Sequence, residues 1–154
     1  MTLMEQCRIW KEEKNYQKMI SALEALSAGE RTPELDSELA QAYCSSADTE
    51  NRELFQKALK LLKPHEGYFG EDYSWNFRIA FAYFYLDREA SALRYFKRGL
   101  AQRPEDGDAL EMISACRSRL TLPRFEKNFR QRTAEAWTEF AAGEIGRAHV
   151  RTPV

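Results

Sequence analysis

The chain has 154 residues, of which 44% are hydrophobic and 31% charged, enough apolar content to bury a core within one domain. Its 23 Lys and Arg nearly balance 24 Asp and Glu, and a net charge of -1 excludes a global electrostatic pull toward nucleic acid or membrane surfaces. No apolar run approaches the ~18 residues of a membrane helix. Residues 1–16 lack a secretory apolar region, and Cys7, Cys44 and Cys116 are odd in number and far apart. These features predict a cytoplasmic protein with reduced thiols and no disulfide framework.

Leu3, Ile9 and Trp10 carry a helical period that ends near Asn15, and Tyr16, Ile20, Leu23 and Leu26 carry a second, giving a first hairpin over 3–29. Thr32 and Pro33 then open a helix as N-cap and first-turn proline. Leu35, Leu39, Ala40 and Tyr43 follow on that helix, and Ala58 and Leu62 on its partner complete a hairpin over 32–64. Ser45 to Asn51 read as a polar loop between the two helices. After Pro64 a second loop is expected, with Tyr68 and Phe69 tucked onto a neighbouring hairpin. The third hairpin, 73–104, turns at Asp87. Closing helices over 108–142 include a capped helix near 109–120 and a long final helix whose apolar stripe is Phe125, Phe129, Ala136, Trp137 and Phe140.

The third hairpin carries a recognisable order of residues. Ile79, Ala80 and Tyr83 on its first helix are followed by Ala92, Phe96, Leu100 and Pro104 on its second. Small residues at Ala80 and Ala92 allow helices to approach, and Tyr83 and Phe96 fill the space beside the crossing. This order resembles a tetratricopeptide repeat. Two departures are Ala80 where the family usually has Gly, and Trp75 one residue before the family's leading Trp. Leu39, Ala40 and Tyr43 repeat the pattern 40 residues earlier, while Ala58 and Leu62 repeat it 34 residues earlier, so the second hairpin holds six extra residues between its helices. A fourth repeat is incomplete, because Arg117 stands where the Tyr would be. The resemblance implies an all-α fold, a right-handed α-solenoid of antiparallel helical hairpins. It also leads us to expect a bacterial protein whose N-terminal part this chain represents.

Residues 144–154, EIGRAHVRTPV, resemble the translation of a common sequencing-library adapter, with Arg151 where that frame carries a stop. They are expected to be a scar that plays no part in the fold.

Catalytic chemistry finds few candidates. His65 and His149 are the only histidines, so no Ser/His/Asp or Cys/His set assembles. The cysteines lack metal-ligand spacing, and Gly67 and Gly70 precede acidic Glu71 and Asp72, the wrong charge for a phosphate loop. No enzyme activity, cofactor or metal is expected.

Binding is better supported. First helices line the concave face in the family, which implies a partner surface at Phe77, Arg78, Phe81, Phe84 and Tyr85, beside Ser74. Phe77, Phe81 and Phe84 fall at helical spacings of four and three and should form one stripe. Two placements of it are open at this point: an accessible groove, or a core covered by the final helix. The preceding repeat offers Ser37, Glu38, Gln41 and Cys44, which depart from the Lys/Asn pattern by which some members clamp a C-terminal carboxylate. From Arg117 to Arg132 six basic residues (Arg117, Arg119, Arg124, Lys127, Arg130 and Arg132) face Glu126 alone, and a solvated helix face is expected there in preference to a nucleic-acid surface. The function expected is a non-catalytic protein-interaction module or scaffold that takes a peptide or partner helix, with no membrane and no nucleic acid. The alternatives are a recognition arm of an enzyme whose catalytic domain lies C-terminal to this piece, and a basic-surface nucleic-acid binder.

Overall fold

The structure is a computed structural model that describes residues 1–48 and 52–121. Among these residues all regular elements are helical: α1 (Leu3–Glu12), α2 (Tyr16–Glu24), α3 (Pro33–Ser46), α4 (Glu53–Leu62), α5 (Glu66–Phe69), α6 (Tyr73–Tyr85), α7 (Glu89–Gln102) and α8 (Gly107–Thr121). The all-α class expected from the sequence holds. The chain divides into two compact units, Met1–Cys116 and Arg117–Val154. Only the last turn of α8 is described in the second, and there the Thr121 hydroxyl donates to the Arg117 carbonyl at 2.7 Å. The rest of the expected final helix to residue 142, the basic side chains Arg124, Lys127, Arg130 and Arg132, and the adapter-like residues 144–154 lie outside the described residues.

Helix starts follow from local polar chemistry. Thr2 and Glu5 form a reciprocal capping box, with Thr2 Oγ1 accepting the Glu5 N–H at 3.1 Å and the Glu5 carboxylate accepting the Thr2 N–H at 3.2 Å. Thr32 Oγ1 accepts the Leu35 N–H at 3.2 Å ahead of Pro33, as the sequence predicts. Asp72 caps α6 through the Trp75 N–H at 2.9 Å.

Two of the helix ends share one closure. The Asn15 N–H bonds the Trp10 carbonyl at 2.7 Å, and the Arg88 N–H bonds the Tyr83 carbonyl at 2.9 Å. Each six-residue loop carries a residue in the left-handed region just before its last member, Lys14 at φ 56 and Asp87 at φ 61. Helix α3 leaves differently, through an extended Ala47 with ψ 143.

One connection departs from expectation. The segment after α4, read as a loop, is a 3-10 turn over Lys63–His65 followed by the single-turn helix α5. The backbone stays in the right-handed helical region from Leu62 through Lys63 and returns to it at Glu66. Pro64 sits in the first turn, where a missing N–H costs no hydrogen bond. Gly70, at φ 55, ends the run. Of its two aromatics, Phe69 does pack inward, stacked on Trp75 at 6.1 Å between ring centroids, while Tyr68 stays exposed and donates its hydroxyl to Glu34.

The core of the first unit lies where α3 meets α2 and α4, and where α6 meets α4, α7 and α3. Trp75 is completely buried and donates its indole N–H to the Leu62 carbonyl at 3.1 Å, tying α6 to the end of α4. Ala40, Ala58, Ala80 and Ala92 are all fully buried, consistent with helices approaching over small side chains. Gly99, seven residues after Ala92, is a further small residue at the α6–α7 contact. A Cβ there would lie 3.6 Å from the Tyr73 carbonyl oxygen and from Asn76 Cβ. In α8, Ile113 is buried but Ser114 and Arg117 are exposed, so the incomplete fourth pattern lacks the inward packing of the third.

Candidate functional site: the face of α1, α3 and α6

Helix α6 presents a ladder of rings along one side. Tyr73 and Phe77 stand 5.8 Å apart between centroids, Phe77 and Phe81 6.5 Å, and Phe81 and Tyr85 4.7 Å. Phe77, Phe81 and Tyr85 are half-buried. Phe84 is not part of the open ladder: it belongs to the buried core, 5% exposed, with its ring edge-on to Tyr85 at 5.2 Å. A ring with so little surface has almost none left to remove from water on binding, so Phe84 leaves the candidate set and the stripe runs through Tyr85 instead.

Arg78 also differs from its expected role. Its guanidinium donates to Ser37 Oγ at 2.7 Å, Glu38 Oε1 at 3.2 Å and Gln41 Oε1 at 3.3 Å. The other Glu38 oxygen accepts from Lys11 Nζ at 2.9 Å. Three helices, α1, α3 and α6, are thereby joined through one carboxylate. Burial alone raises the Glu38 carboxyl, but the Arg78 charge and the bond from Lys11 outweigh it and hold the group below its ordinary value. Arg78 therefore acts as a strut across the face, and the polar residues Ser37, Glu38 and Gln41 are its acceptors.

Between the ladder and this network lies a groove of about 290 Å³, bordered by Lys11, Gln41, Cys44, Ser45, Tyr73, Ser74, Phe77, Arg78 and Phe81. Burial pushes the Cys44 thiol up to about 12, only partly opposed by Arg78, so Cys44 stays a protonated, unreactive thiol at neutral pH. His65 contributes no chemistry to this groove. Its Nε2 lies 2.8 Å from Asp36 Oδ2, and Asp36 Oδ1 accepts from Arg31 Nε at 2.6 Å. Arg31 further donates to the Leu23 and Leu26 carbonyls at 3.3 and 2.8 Å, so this set ties the end of α2, the start of α3 and the 3-10 turn together. Among the described residues no group of three or more His, Cys, Asp or Glu is placed to hold a metal ion, and no helix is long and apolar enough to cross a membrane.

The sequence reading placed Phe77, Arg78, Phe81 and Tyr85 on this face. It missed Tyr73, which extends the ring ladder by four residues and was visible as an aromatic at helical spacing. It also missed Lys11, whose partner Glu38 stands 27 residues away and leaves no local signal. No protein-family model matches the chain, and neither a curated protein nor a solved structure is significantly similar to it.

Proposed function

We propose that this chain is a tetratricopeptide-like helical-repeat module, a right-handed solenoid of hairpins that binds a peptide or partner helix and performs no catalysis itself. The observation that carries the reading is the groove between α1, α3 and α6. It sets accessible aromatic rings beside the Arg78, Glu38 and Lys11 charges, which are already paired with one another, a combination suited to apolar anchoring and poor for acid-base or nucleophilic work. Phe77 and Phe81 are the anchors, with Tyr73 and Tyr85 extending the apolar wall. Arg78 and Glu38 hold the wall at fixed spacing, so the surface is organised before a partner arrives.

A displayed library of random peptides, selected on the parent chain, tests this directly. Selected peptides should lose about tenfold or more in affinity on Phe77→Ala. They should lose as much on Ser45→Trp, which fills the groove from an exposed position without removing core packing. Peptides that ignore both substitutions would place binding elsewhere and overturn the assignment of this face.

A further inference from the structure

A second cleft, of about 370 Å³, lies between α4 and the α6–α7 turn, with Arg52, Lys60, Lys63 and Arg88 around Leu59 and Leu86. Among the described residues one ion pair reaches these cations, Arg52 Nη2 with Asp87 Oδ2 at 2.6 Å. Lys63 Nζ rests 6.0 Å from the centre of the Tyr83 ring. Among the described residues Lys60, Lys63 and Arg88 form no ion pair. Cations gathered in one concavity repel each other, and the same field raises the local concentration of anionic ligands.

We infer that this cleft binds an acidic segment of a partner protein. Partner carboxylates pair with Lys60, Lys63 and Arg88, and an aliphatic side chain between them settles on Leu86, above the more deeply buried Leu59. Peptide is favoured over single-stranded nucleic acid by the floor of the cleft. Bases bind such channels by stacking on open aromatic faces, whereas here the floor is leucine and the nearby Tyr83 is only 7% exposed beneath Lys63. The inference is independent of the groove on α1, α3 and α6, because the two sites share no residue.

Fluorescence anisotropy with a labelled peptide of repeating Glu-Glu-Leu, and with an oligothymidylate of equal charge, tests it on the full chain. The peptide should bind at low salt, weaken as salt rises, and lose about tenfold in affinity with Lys60→Glu and Arg88→Glu together. The milder pair Lys60→Gln and Arg88→Gln should produce a smaller loss in the same direction, and it decides the matter if charge reversal disturbs the circular dichroism spectrum. Phe77→Ala should leave this binding unchanged. Absence of peptide binding, indifference to both pairs of substitutions, or tighter binding of the oligothymidylate with the same residue dependence would each overturn the proposal.

Discussion

Helices α3 and α6 start successive hairpins with matching residues on one side and different chemistry on the other. Leu39, Ala40 and Tyr43 on α3 and Ile79, Ala80 and Tyr83 on α6 are all buried. On the other side, Ser37, Glu38 and Gln41 of α3 stand 40 residues before Phe77, Arg78 and Phe81 of α6, and the polar set accepts the guanidinium that the aromatic helix donates. Packing constrains the inward positions to nearly one solution. The positions on the other side differ between the two helices, and here they are complementary partners.

The comparison breaks most severely at Trp75, a large inward residue of α6 in whose place α3 carries the smaller Leu35. Trp75→Ala should cost about 3–5 kcal/mol, because it removes a fully buried indole and leaves the Leu62 carbonyl without its donor. Leu35→Ala should cost about 2 kcal/mol. Urea denaturation of the two variants checks the order, and equal losses would deny Trp75 its anchoring role.

Next comes the strut. Arg78→Ala should cost about 2–3 kcal/mol at neutral pH, because it strands a mostly buried Glu38 carboxylate with Lys11 alone. Arg98→Ala, which removes a more exposed pair with Glu66, should cost about 0.5 kcal/mol from the pair itself. The pH dependence has a definite sign. Glu38 has a lowered value in the folded state, so its contribution is complete above its ordinary value of 4.5 and is lost as pH falls through the lowered one. Stability measured from pH 6 downward should therefore fall less steeply in Arg78→Ala than in the parent. Parallel acid limbs would mean that Arg78 does not hold the Glu38 charge.

Where the two hairpins are alike, matched substitutions should hurt alike. Ala92→Leu in α7 and Ala58→Leu in α4 each overpack a fully buried small site and should cost about 1–3 kcal/mol. A thermal melt of either variant that overlays the parent would show that its helices do not cross at that alanine.

The smallest effect sharpens the contrast between connections. Lys14 has a side chain in the left-handed region, so Lys14→Gly should stabilise the protein by about 1 kcal/mol. Asp87→Gly should gain less, since aspartate tolerates that region better and its carboxylate holds Arg52. A melting temperature for Lys14→Gly at or below the parent's would show that this turn carries no strain.

Much of the scaffold was legible in the chain because its causes are local. Helical periodicity, the Thr32–Pro33 start and the Asp87 turn involve residues within a few positions of one another. The α5 segment escaped because a proline and two glycines read as a loop, although a proline in a first turn is compatible with continued helical backbone. The site was legible only in part. Phe77, Phe81 and Tyr85 on one face follow from helix geometry, since a ring at every fourth position must align.

What the sequence determined by itself is therefore the helical class and the alignment of rings along α6, both consequences of spacing along one stretch of chain. Tertiary structure alone decided which of those residues remain available to a partner. Phe84 went into the core, and Arg78 was spent on Ser37, Glu38 and Gln41, contacts that span 37 to 41 residues. The physical reason is that burial and charge pairing are properties of neighbours in space, and a helix's own periodicity says which way a side chain points but not what meets it there.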